Sequence, residues 1–227
     1  FFVVGELLKM NPEIIDKITS GQHEIGFHTM KHTRIDTPDY KSIFSEELKE
    51  FNKIVSGKSV GFRAPTFSLN EKSSWMIDEL VNNNYKYDSS IIPVKTNMYG
   101  IPNGQKSPYR ITSSSLGKND HNGTLTEFPL LVTKIFGKTI PAAGGFYLRS
   151  LPLKIIKNAI KSYEKEKIPS SFYIHSWELT PEYIPKINLP IKNKLITFYK
   201  IQKTFSKMNQ LLKEFKFTNF DSYLKTI

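Results

Sequence analysis

The sequence predicts an α/β fold with a mainly parallel sheet, an incomplete (β/α) barrel of fewer than eight strands. Three observations lead there. Short apolar runs of strand type alternate with segments of helical period. Glycine, proline and asparagine punctuate the boundaries between them. Chemistry-bearing residues recur where the apolar runs end, at His28 and His32, Arg63, Asp88 and His175, and strand carboxyl ends converge on one face in a parallel barrel.

In order, residues 1–4 read as a buried strand stopped by Gly5. A helix over 11–20 follows, with Asn11 as cap, Pro12 in the first position, Ile14, Ile15 and Ile18 as its apolar side, and Gly21 as the stop. Residues 24–27 read as a short strand. Ile43, Phe44, Leu48, Phe51 and Ile54 give a helical period over 40–56, closed by Gly57. Residues 59–63 form the next strand and run into Ala64-Pro65. Ser68 with Glu71 predicts a capping box for a helix over 72–81, ended by Asn82, Asn83 and Asn84. A strand or extended segment over 85–92 carries Asp88. Residues 93–123 are rich in Pro, Gly, Ser and Asn and read as loops, long enough to suggest a functional or family-specific insertion, with His121 in a turn. A strand over 125–128 ends at Pro129. Gly144-Gly145-Phe146-Tyr147 reads as a close approach before a helix over 151–165. Residues 170–174 read as a buried strand ending at His175. Pro181, Pro185 and Pro190 keep the chain extended, and one long helix covers 193–215. No linker divides the chain, so residues 1–227 are expected to be a single domain.

The 227 residues are enough for one sizeable core, and 39% hydrophobic with 23% charged content fits a packed globular domain. No cysteine is present, so disulfides and thiolate metal sites are excluded, and any metal must use His, Asp or Glu. No apolar run approaches the roughly 20 residues of a membrane span, and no signal peptide is visible. The compartment and the oligomeric state stay open. The net charge of +11 raises nucleic acid as a partner. However, Lys154, Lys157, Lys161, Lys192, Lys194, Lys200, Lys203, Lys207 and Lys213 are spaced as solvated helix faces. No helix-turn-helix, zinc finger or RNA-binding sheet motif accompanies them, so no nucleic-acid partner is expected.

His28 and His32 stand four apart within QHEIGFHTMKHTRID, just past a strand. On a helix or tight turn both imidazoles would face one way, a ready pair of ligands for zinc or a similar divalent ion. Taken singly, each of the other polar residues has a plainer reading. Arg63 fits a surface charge, Asp88 a turn or cap, and His175 a core histidine bonded to backbone.

Together, HEIGFHTMKH, GFRAP, YDSS and YIHSWEL, in that order, resemble the polysaccharide deacetylases of the NodB-homology type, also called carbohydrate esterase family 4. The form HSWEL, with Glu127-Phe128-Pro129 and Gly144-Gly145-Phe146-Tyr147, is similar to the subgroup linked to exopolysaccharide biosynthesis. The resemblance implies a distorted (β/α) barrel and metal-dependent removal of N-acetyl groups from an amino-sugar polysaccharide. It implies one divalent ion, expected to be zinc, on His28 and His32, with His175 as general acid, Asp88 orienting it and Arg63 pairing with an aspartate. Pro65, Phe146, Tyr147 and Trp177 are the implied substrate contacts, with core packing as the competing reading for the aromatics. The family's first motif, which supplies the base and a third ligand, belongs before Phe1. The chain is therefore expected to be an amino-terminally truncated domain lacking its first strand or strands, with little activity as written. A non-catalytic carbohydrate-binding or scaffold domain is the alternative.

Overall fold

The computed structural model describes residues 1–96, 99–185 and 188–227. They form two compact units, one of Phe1–Pro129 with Thr218–Ile227 and one of Leu130–Phe217.

The first unit is built on a six-stranded sheet. In chain order its elements are β1 (Phe2–Val3), α1 (Gly5–Met10), α2 (Glu13–Ser20), β2 (Gly26–Phe27), α3 (Tyr40–Ile54), β3 (Gly61–Phe62), α4 (Trp75–Asn82), β4 (Tyr87–Asp88), β5 (Tyr109–Ile111) and β6 (Leu125–Glu127). The strand order is β1-β2-β3-β4-β6-β5, parallel throughout except where β5 runs antiparallel to β6. Parallel neighbours need long connections, and the chain uses the helical segments for them. Phe27 and Phe62 face α3, where the Phe27 ring lies 4.6 Å from Phe51 and Phe44 lies 5.6 Å from Phe62. These rings with Leu48, Met76 and Leu80 are fully buried and form the core.

The second unit holds the hairpin β7 (Val132–Ile135) and β8 (Lys138–Pro141), then α5 (Gly145–Ser150), α6 (Leu153–Lys165), α7 (Ser176–Leu179), α8 (Ile191–Phe198) and α9 (Thr204–Glu214). The chain then returns to the first unit as α10 (Phe220–Leu224). There Glu24 Oε1 accepts the Phe220 N–H and the Tyr87 hydroxyl, and Phe220 stacks 4.7 Å from Phe128.

Several elements differ from the sequence reading. The first strand does end before Gly5, and Gly5 goes on to open α1; its missing side chain makes room for Met30, whose Sδ would lie 2.1 Å from a Cβ there. The cap before α4 is Asn70, which accepts the Lys72 N–H and gives its own N–H to Ser73. Ser68 instead bonds Pro65 O and the Ile35 N–H. The β7–β8 hairpin was not foreseen. Its turn, Phe136-Gly137, has both residues at positive φ, as a tight two-residue connection requires. Residues 170–174 are not a buried strand: Ser171 makes a single bridge to Leu130, and Phe172, Tyr173 and Ile174 are half-buried. The expected helix over 193–215 is two, broken where Lys200 turns left-handed at φ 48°. In the stretch 93–123 only β5 is regular, and residues 97 and 98, like 186 and 187 of the proline-rich segment, lie outside the described residues. Of the lysines read as solvated, Lys207 binds Leu148 O and Leu151 O at 2.8 Å each, closing the carboxyl end of α5, and Lys157 and Lys161 both pair with Glu214. The Lys192 side chain is outside the described residues.

Phe27→Ala is expected to cost about 3–5 kcal/mol, the range for emptying a buried aromatic site. Phe136→Ala, at the fully exposed hairpin turn, is expected to change stability by less than about 0.5 kcal/mol. Urea unfolding of the two variants beside the parent checks both.

Candidate functional site

His28 follows β2 directly, and its N–H donates to Val3 O in the manner of the sheet. The next residues leave the sheet in a loop, not a helix, with Thr29 at φ 61° and His32 at φ 58°. That loop is pinned from two sides. The first N–H groups of α1, on Gly5 and Glu6, donate to Thr29 O and Met30 O at 3.0 Å, so an unsatisfied helix end is closed by the histidine loop. From α3, Glu47 accepts the Met30 N–H at 3.0 Å. Further on, Arg34 pairs with Asp36, and Asn70 donates to the same carboxylate at 3.1 Å. Asp36 is held below the usual carboxylate range: partial burial opposes this, but the Arg34 guanidinium and the Asn70 amide outweigh it. The two left-handed residues bring the His28 and His32 rings to 5.0 Å between centroids, edge to face.

His28 Nδ1 lies 2.6 Å from Arg63 O. A carbonyl only accepts, so Nδ1 carries the proton and Nε2 keeps its lone pair. A backbone carbonyl behind the ring is the usual outer support of a metal-binding histidine. His28 is half-buried and His32 exposed. Among the described residues no group of three or more His, Asp or Glu gathers in metal-binding geometry.

Arg63 is 7% exposed and lies in the row behind the pair. Its Nε donates to Ser89 O at 2.8 Å, its Nη2 to Ser89 Oγ at 2.7 Å, and its guanidinium covers the Phe2 ring at 4.2 Å. Pro65 is buried at the start of a short turn, Pro65–Phe67. Asp88 is fully buried on β4, opposite Glu127 of β6 in register. Ser90 Oγ donates to Asp88 Oδ1 at 2.6 Å and accepts the Ala64 N–H at 2.8 Å. Glu127 Oε1 accepts the Ile91 N–H at 2.9 Å. Burial lifts Asp88 to about 6, against hydrogen bonds from Ser90 and Glu127 and the charge of Arg63. Burial, and then the neighbouring Asp88 charge, push Glu127 well above the usual range. Two carboxyl groups this close do not both ionise, so the proton of the pair stays on Glu127.

In the second unit, His175 stands in the cap position of α7 with its side chain half exposed. The ring stacks on Trp177 at 5.4 Å with 20° between planes, and Tyr173 meets it edge-on at 5.6 Å. Its Nδ1 is 3.0 Å from Glu178 Oε2. Phe146 and Tyr147, on α5, are half-buried and pack on each other at 5.4 Å. Sequence reasoning quoted Glu127 and Glu178 only within the motifs EFP and HSWEL and gave neither a role. The signal for Glu127 was a lone acid in the apolar run LTEF, and for Glu178 an acid three residues after a histidine.

Residues 1–112 match the family described as Polysaccharide deacetylase, and residues 89–225 match the one described as Domain of unknown function (DUF3473). Among solved structures, the chain aligns with Puue allantoinase at 14% identity over 95% of this chain and 61% of that one, with a TM-score of 0.52. A 4-alpha-glucanotransferase from Thermococcus litoralis aligns at 13% identity over 99% of this chain and 33% of that one, with a TM-score of 0.55. A provisionally named polysaccharide deacetylase from Mycobacterium smegmatis is 24% identical over 57% of this chain and 39% of that one; its TM-score of 0.43 carries no argument. The chain thus spans 33–61% of the lengths of these structures. No curated protein matches it. At these identities the likeness concerns the fold, an α/β architecture with a mostly parallel sheet, consistent with a distorted NodB-type barrel. No helix among the described residues is long and apolar enough to cross a membrane.

The buried acid pair predicts a pH effect with a definite sign. Both carboxyls bind their proton more tightly folded than unfolded. Their contribution is complete below the unfolded values of about 4 and is lost as pH rises through the folded ones, about 6 for Asp88. In Glu127→Gln the amide oxygen can still accept from Ile91, and the side chain carries no charge. Thermal unfolding from about pH 5 to 8 is expected to show a smaller loss of stability in Glu127→Gln than in the parent. Glu127→Ala, which orphans the Ile91 N–H, is expected to cost about 1–3 kcal/mol across the range.

Proposed function

The chain belongs to the polysaccharide deacetylase family, and from that premise we propose that it is a metal-dependent hydrolase removing N-acetyl groups from an amino-sugar polysaccharide. The family is one of carbohydrate esterase and deacetylase hydrolases, typically metal-dependent. The observation that carries the proposal is the 2.6 Å contact between His28 Nδ1 and Arg63 O, beside a His32 ring 5.0 Å away. A core histidine has no need of a partner imidazole at that distance in an accessible loop.

In this reading Phe1–Ile227 works as one domain. His28, through Nε2, and His32 hold one divalent ion, expected to be zinc, which neutral imidazoles suit. When bound, the ion polarises the acetyl carbonyl and lowers the pKa of its water. Arg63 serves through its carbonyl, which keeps His28 in the right tautomer, and through its guanidinium, which ties the loop to Ser89. His175 is the general acid, giving its Nε2 proton to the leaving sugar nitrogen. Its assignment rests on the HSWEL motif. Trp177, Phe146 and Tyr147 supply partly exposed aromatic surface for the sugar and the acetyl methyl, and Pro65 shapes the loop after Arg63. The exopolysaccharide association rests on the same motifs.

Zinc titration of the parent is expected to show one site, weakened at least about 10-fold in His28→Ala and in His32→Ala. Equal affinity in all three proteins would rule the pair out.

Acetate release from an N-acetylated amino-sugar oligomer, measured on the chain extended by the family's first motif, is expected to be stopped by a chelator and restored by zinc. His175→Ala is expected to lower turnover about 10²–10⁴-fold with little change in zinc affinity or melting temperature. A variant that unfolds while its folded fraction turns over normally would make His175 structural.

A further inference from the structure

Two motifs of the second unit, GGFYLR and YIHSWE, converge on one carboxylate. Glu178 is 2% exposed, and all its oxygen partners come from these motifs. Oε2 accepts the His175 backbone N–H at 3.0 Å and the ring Nδ1–H at 3.0 Å. Oε1 faces Arg149 Nη2 at 3.2 Å, and Arg149 is itself 2% exposed. Burial alone would lift the Glu178 carboxyl; the His175 hydrogen bonds and the Arg149 charge hold it below the usual range instead.

The surroundings leave this carboxylate one seat. A Cβ on Gly145 would lie 2.0 Å from Glu178 Oε1, and one on Gly144 would lie 2.5 Å from the Tyr173 ring. The glycine pair therefore makes the space in which Tyr173 and Glu178 stand. Gly144 adds a backbone reason, φ 94°, that disfavours any side chain. Arg149 is fixed in turn, with Nε on Gly145 O at 3.1 Å and Nη1 on Thr197 O at 2.8 Å. Elements packed on α7 also carry Glu182, Lys203 and Lys207. Lys207 is occupied by the carbonyls ending α5, and among the described residues the ion pair of His175 is with Glu178.

We propose that Glu178, seated against Gly145 and held by Arg149, is the positioning carboxylate of His175. This rests on the reading of His175 as general acid, and departs from the family resemblance, which gave that place to Asp88. Glu178 fixes the Nδ1–H tautomer and stabilises the imidazolium. As the amide C–N bond breaks, its electron pair passes to nitrogen and the Nε2 proton of His175 goes to that nitrogen. The ring is left neutral, with Nδ1–H still on Glu178. Arg149 acts one step further back, keeping Glu178 ionised in a buried place.

The test compares the parent with Glu178→Gln, in the full chain. Because Gln leaves Arg149 without its counter-charge, the double variant Arg149→Met/Glu178→Gln is made as well, which removes both buried charges together. In nitrogen-15 spectra the parent is expected to show His175 protonated at Nδ1, and both variants a mixture of tautomers. On an N-acetylated amino-sugar oligomer, kcat is expected to fall at least about 10-fold in both, with KM and zinc affinity nearly unchanged and the double variant folded. A parent-like tautomer and parent-like kcat in both variants would overturn the assignment. If the parent releases no acetate while the tautomer still follows Glu178, the reading of the reaction fails and the clamp on His175 stands.

Discussion

Two carboxyl groups lie side by side in the interior of the parallel sheet, Asp88 on β4 and Glu127 on β6. Burying one ionised carboxylate is costly, and burying two in contact is prohibitive unless one keeps its proton. The neighbourhood is organised to meet that constraint. Backbone N–H groups of Ser90 and Ile91 converge on Glu127, the Ser90 hydroxyl serves Asp88, and the Arg63 charge lies near enough to favour the remaining anion. The same serines hold the other side of the structure. Ser89 takes the Arg63 guanidinium and Ser90 takes the Ala64 N–H, so the segment that presents its carbonyl to His28 is anchored on the acid pair. The orientation of the His28 imidazole thus depends on a buried carboxyl pair several bonds away.

The second unit repeats this logic with a different balance. There a single buried carboxylate stays ionised because a buried guanidinium faces it and a histidine donates to it. Breaking such a pair on one side leaves an uncompensated charge, which is far more damaging than removing both. Geometry limits the alternatives further, since Gly144 and Gly145 are filled by Tyr173 and Glu178 down to contact distance. A motif that reads as a substrate wall in the sequence serves first as a socket.

Family membership and fold likeness carry different weight for this chain. The match over residues 1–112 concerns a family of hydrolases, and the match over 89–225 one without an assigned function. The aligned structures include an allantoinase and a glucanotransferase. One scaffold serves several chemistries, and the residues at the strand ends decide among them. In the proposed reading, those residues are His28, with its Arg63 support, and His32.

Much of the fold was legible in the sequence because its signals are local. Apolar runs ending in polar residues marked β2, β3, β4 and β6, and helical periods marked α2, α3, α4 and α6, each within a few residues. The two histidines after a glycine-containing strand stand out in the sequence, and the structure brings their rings to 5.0 Å. What the sequence could not supply is set by contacts between distant segments. Gly5 reads only as a stop until Met30 is seen to fill the space beside it. Residues 170–174 read as a buried strand, yet they meet a neighbouring strand only at Ser171. Helix period runs unbroken through residue 200, where the backbone turns left-handed. Glu127 and Glu178 entered the sequence reading only as letters of motifs, because burial and partner choice arise only once strands are in register and helices are packed. Residue type and spacing carried the family resemblance; tertiary structure decided which carboxylate holds a proton, which holds a charge, and which His28 nitrogen faces a carbonyl.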